Sequence, residues 1–190
     1  MAPAYTIRPR TGFPEDPMSS PARSSNVPAS HVLYDAFGAG SIGGSIVALF
    51  FLLLDTIQGR TFFTPSLMGT VLFTSSPALA VSDVRMDMVA YYTLVHFAVF
   101  GVLGGVVAVL LRQVELHSKH PAVMLVTIFL LTEVLFVAAA TILMPGVVAV
   151  VGAPKIVAAN LLGALGMASF LLATHRPDLW YRVKHAVRLA

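Results

Sequence analysis

Two side chains with titratable chemistry stand inside long apolar stretches of this chain, Glu133 (FLLTEVLF) and His96 (YTLVHFAVF). A charged group at the centre of a bilayer costs on the order of 2.5–3.5 kcal/mol on insertion scales. A carboxyl at that place must therefore be neutral or paired. His96 is the expected partner. Counted along their helices at 1.5 Å per residue, His96 lies about 10 Å and Glu133 about 16 Å from the same face. That gap of about 6 Å is one that two side chains or a water can bridge. Asn160, Thr93 and Thr132 could join the same network. Three roles suit such a pair. It can be a neutral hydrogen-bonded contact that fixes helix register, or a proton or ion pathway. In the third, Glu133 faces a partner subunit or a cofactor that the partner holds. A lone Glu is sparse for a transporter, and the chain shows neither an inverted repeat nor paired broken helices.

Other chemistry is thinly represented. There are no cysteines, which excludes disulfides, thiolate catalysis, iron–sulfur ligation and C-x-x-C-H haem attachment. His31, His117, His120, His175 and His185 fall at the inner membrane boundary, and His31, His117 or His120, and His175 come from three different helix ends, so a metal site is geometrically conceivable. However, the H-x-x-H of His117 and His120 is followed by Pro121, which biases His120 away from helix, and no carboxylate motif accompanies it. No H-E-x-x-H occurs, and no Ser/His/Asp grouping converges at one depth. The glycine-rich GAGSIGGS (38–45) lacks the spacing and the lysine of a phosphate loop. No metal, cofactor or nucleic acid is expected.

The elements that must position Glu133 and His96 are membrane helices. Of 190 residues, 57% are hydrophobic and 11% charged, where soluble domains carry about 25% charged residues. Spanning a bilayer takes about 20 apolar residues as a helix. Four stretches qualify: 36–54, 89–111, 122–144 and 156–173. Helices are required because lipid offers no partner to a free backbone group, and the alternation of barrel strands is absent. The predicted fold is an all-α integral membrane protein with four transmembrane helices. With four spans, nine basic residues (Arg8, Arg10, Arg23, Arg112, Lys119, Arg176, Arg182, Lys184, Arg188) share one side against three (Arg60, Arg85, Lys155) on the other. The positive-inside rule then places both termini in the cytoplasm of a cell inner, cytoplasmic-type membrane. A fifth span at 61–81 would leave five basic residues inside and seven outside, and would put Pro65 and Pro77 in one helix. This segment is expected to be interfacial or re-entrant on the outer face.

Small residues recur every four positions in the first span (Ala36, Gly40, Gly44, Ala48), and the second span carries Gly101 and Gly105. Such stripes let helix backbones approach closely, either within one bundle or against another subunit. Tyr34, Tyr91, Tyr92, Trp180 and Tyr181 are expected at headgroup level. Residues 1–30 hold six of the twelve prolines and read as a disordered cytoplasmic tail. They contain no apolar core of a signal peptide, so the first span is expected to act as an uncleaved anchor. Residues 31–176 form the predicted bundle. Residues 177–190 read as a short amphipathic tail in which Trp180 and Tyr181 meet lipid and Arg182 and Lys184 meet anionic headgroups. The expected function is that of a non-catalytic accessory or assembly subunit of a larger membrane complex, surrounded by the lipid bilayer and by other membrane subunits. The alternative is a small proton- or ion-coupled transporter using Glu133 and His96.

Overall fold

A computed structural model describes the backbone of residues 29–117 and 121–175, with side chains for 33–110 and 122–174. The two predicted tails, including Trp180, Tyr181, Arg182 and Lys184, lie outside the described residues, apart from the start of the first helix. Six α-helices follow one another: α1 (Ala29–Ile57), α2 (Phe63–Thr74), α3 (Met86–His117), α4 (Pro121–Leu143), α5 (Val147–Val151) and α6 (Ala153–His175). A single 3-10 turn, Ala78–Ala80, lies between α2 and α3, and there is no strand among the described residues. Four helices are long and apolar enough to cross a membrane: Leu33–Ile57, Met86–Leu110, Ala122–Leu143 and Ala153–Thr174. They coincide with the four stretches read from the sequence, each end moved by three residues or fewer.

α1 is the central helix, packed on α3 along one face and on α6 along another. The residues 38–45 explain this. Gly40 faces the Phe100 carbonyl and the Gly101 Cα of α3 so closely that no methyl would fit. Gly104 of α3 meets the Ala36 carbonyl in the same way. On the α6 side, Gly43 and Gly163 oppose each other, with Met167 filling the space beside Gly43. Dispersion at close range holds helices together where no hydrophobic effect is available. One helix with glycine on two faces can bring two neighbours to that range.

Helix ends follow local chemistry. α1 stops at Gly59, which takes φ +70°, with Arg60 N–H donating to the Asp55 carbonyl (2.8 Å) and Gly59 N–H to that of Thr56 (3.0 Å). This is the paired closure of a glycine-terminated helix. Pro121 and Pro154 stand at the starts of α4 and α6, where a missing N–H costs no helical bond. Gly146 and Gly152 bracket α5 with φ +85° and +95°, a region that costs glycine little.

The segment 61–81 does not form a fifth span. Its helix, α2, is 12 residues long and carries Pro65 in its first turn. It is stopped by Ser75, held at φ 54°, two residues before Pro77. The order of its contacts fixes its direction. Ser66 Oγ accepts from Arg85 N–H (2.8 Å), Gly69 abuts the Met88 carbonyl, and the Phe73 ring lies 5.7 Å from that of Tyr91. Hence α2 runs beside the first turns of α3 in the same direction, ending level with Tyr91, about 7.5 Å along the α3 axis. The chain then returns through Ala78, which meets Gly146 beside α5.

Candidate functional site

Asp55 at the end of α1 holds α2 in place. Its Oδ2 accepts from the Thr64 backbone N–H (2.6 Å) and its Oδ1 from the Thr64 hydroxyl (2.7 Å), and both residues are buried. This carboxylate satisfies an N–H that the first turn of α2 leaves without a helical partner. A negative charge is also favourable at a helix N-terminus. In the sequence, Asp55 is marked only as an acid at the end of an apolar stretch, followed by Gly59 and a short apolar segment. The structure also buries Asp35, near the start of α1.

α4 leans on α6 and scarcely touches α3, its neighbour in sequence. α2, packed on α3, borders the space between α3 and α4 through Met68 and Leu72. That space is a partly open cavity of about 280 Å³, walled by α1, α2, α3, α4 and the start of α6. Phe51, Met68, Phe100, Phe136 and Met144 are among its apolar lining, and Tyr92, His96, Thr132 and Asn160 bring polar groups to it.

His96 and Glu133 do not pair, contrary to the expectation from depth. His96 Nε2 donates to the Gly44 carbonyl on α1 (2.9 Å), across a position where no side chain intervenes. Glu133 Oε2 accepts from Asn160 Nδ2 on α6 (2.8 Å). Each residue bonds the helix its own helix packs against, and the cavity occupies the space between α3 and α4. Similar depth along two helices did not decide which groups share an interface. Thr93 and Thr132 close no network either, since each hydroxyl donates to the carbonyl four residues earlier, at Val89 and Ile128.

The small-residue stripe divides. Ala36, Gly40 and Gly44 lie against α3, whereas Ala48 is exposed and lines the cavity. On α3 the crowded position is Gly104, which the four-residue spacing missed. A methyl on Gly101 would meet nothing within 4 Å, and one on Gly105 would only touch Ala36 Cβ at 3.7 Å. The stripe of α1 is thus occupied inside the chain. Tyr34 and Tyr91 are exposed, as interfacial anchors would be, but Tyr92 turns inward to the cavity.

Among the described residues no three His, Asp or Glu side chains come together as a metal site. His120 lies outside the described residues, as do the side chains of His31, His117 and His175. The chain matches no known protein-family model, no curated protein and no solved structure.

Proposed function

We propose that this chain is a multi-pass integral membrane protein that serves as a non-catalytic accessory subunit and docks a partner subunit through α4. The observation that carries the reading is Glu133. One carboxyl oxygen accepts from Asn160, and the other has no hydrogen-bond partner among the described residues, yet it is not sealed inside the bundle. Around it α4 presents an apolar, uncovered face (Leu130, Val134, Val137) and buries less of its length than the other three membrane-length helices. A carboxyl open to hydrocarbon is costly and calls for a donor from outside the bundle. A helix of another subunit can bring one.

In this reading both termini are cytoplasmic, the membrane is of the inner, cytoplasmic type, and α2 is a re-entrant helix entering from the outer face. The proton- or ion-coupled transporter remains the alternative. It drew on a Glu133–His96 pair and gains nothing from two residues bonded to different helices.

Mild-detergent extraction of the tagged full chain, followed by sizing and mass spectrometry, tests the proposal. A stoichiometric complex that Glu133→Leu dissolves, while the variant keeps its own size and fold, is the expected result. A protein that elutes alone or as a simple oligomer overturns it.

A further inference from the structure

We propose that the cavity between α3 and α4 is a binding site for a lipid-soluble alcohol or phenol, whose hydroxyl is held by Tyr92 and His96. The inference does not depend on whether α4 docks a partner. It starts from which polar atoms around the cavity are already committed. Thr93 and Thr132 donate to their own helix, Thr64 donates to Asp55, and Asn160 gives an amide N–H to Glu133, which leaves the Asn160 Oδ1 as a further acceptor on the α6 side. Tyr92 and His96 are different. A carbonyl oxygen only accepts, so the His96 Nε2 bonded to Gly44 carries a proton, and Nδ1 offers a lone pair when the ring is neutral. Neither that Nδ1 nor the Tyr92 hydroxyl has a hydrogen-bond partner among the described residues. Both residues line the cavity, and neither atom is fully buried.

The two residues are four apart on α3, so they share a helix face, and their rings lie 5.8 Å apart. One face of α3 therefore brings a free donor and a free acceptor to the cavity wall, among mostly apolar groups. A neutral hydroxyl answers both with a single atom, accepting from Tyr92 and donating to His96. A ketone would leave the His96 lone pair unanswered. A carboxylate would meet no cation, because no Lys or Arg lines the cavity.

Size sets the rest of the ligand. A cavity of about 150 Å³ holds one benzene, so about 280 Å³ accommodates a body of roughly a dozen carbon atoms. Since the cavity is partly open, a longer chain can trail out between α3 and α4. Six aromatic residues among the lining (Phe51, Phe62, Tyr92, Phe97, Phe100, Phe136) suit a flat ring.

The test uses the full chain in lipid nanodiscs, with 2-naphthol and 2-methylnaphthalene, which share a shape and differ in the hydroxyl. Saturable one-to-one binding of naphthol, about tenfold tighter than methylnaphthalene, is expected for two hydrogen bonds. Tyr92→Phe, which keeps the ring, should cut the preference to about threefold. Ala139→Phe, at a cavity-lining position on α4, should abolish binding of both probes. Each variant is first shown to retain the size and melting behaviour of a folded protein. Equal affinity for the two probes, an unchanged preference in Tyr92→Phe, or naphthol binding that survives Ala139→Phe overturns the proposal. Absence of saturable binding also overturns it, and leaves the space to acyl chains or a partner helix.

Discussion

The contacts of Gly40 and Gly104 are set by backbone atoms, which cannot rotate away from an added methyl as a side chain can. Gly40→Ala and Gly104→Ala must push α1 and α3 apart. We expect each to lower stability by about 1–3 kcal/mol, the usual range for overpacking, read as a fall in melting temperature in detergent. Gly101→Ala is the control. Its methyl meets nothing within 4 Å, and alanine is favoured in a helix by up to about 1 kcal/mol, so it should be neutral or stabilising. The same accounting applies to polar atoms. Thr70 Oγ1 is the only fully buried side-chain polar atom without a partner among the described residues. Thr70→Val removes that unanswered hydroxyl at nearly constant shape, and the melting temperature should rise. Glu133→Gln still offers Asn160 an oxygen and should unfold much as the parent does. Glu133→Leu strands the Asn160 amide and should cost about 1–3 kcal/mol.

At the scale of elements, α2 is the least self-sufficient piece of the fold. Its 12 residues make too short a helix to be stable alone. Both of its ends rest on non-glycine residues at positive φ, Phe62 (67°) and Ser75 (54°), each a conformation that surrounding contacts must enforce. Asp55 supplies two of these contacts, hydrogen bonds to the Thr64 backbone N–H and hydroxyl. Asp55→Ala should release α2 without unfolding the four long helices. Hydrogen exchange of residues 63–74 should then accelerate, while that of α1 and α6 holds. Exchange that rises uniformly along the chain would show instead that α2 and the long helices form one cooperative unit.

For the whole molecule, orientation is the property most open to a direct check, because the chain has no cysteine of its own. A single cysteine at Ser82, an exposed position in the link before α3, should react with a membrane-impermeant maleimide from outside intact cells. One at Ser118, between α3 and α4, should react only after the cells are opened. Reversed labelling would overturn the cytoplasmic placement of the termini.

How far the sequence reached depends on the range of the interaction. The number, place and helical nature of the four long elements were legible, because hydrocarbon-length apolar runs and the need to satisfy every backbone group are local properties of the chain. The stops were legible for the same reason. Pro65 and Pro77 argued against a fifth span, and the close of α1, which the sequence reading did not mark, is equally local, with Gly59 N–H bonded to Thr56 and Arg60 N–H to Asp55. Partnership was not legible. Glu133 and His96 were paired by depth along their helices, yet His96 of α3 bonds α1 and Glu133 of α4 bonds α6. The spacing of Gly101 and Gly105 suggested a stripe, while the rotation of α3 chose Gly104. Tyr92 read as an anchor and became the wall of a cavity. Sequence periodicity defines a helix and its faces. Which face meets which neighbour is a sum of weak contacts over the whole bundle, so only the tertiary structure decided the polar pairs, the buried cap at Asp55 and the space between α3 and α4.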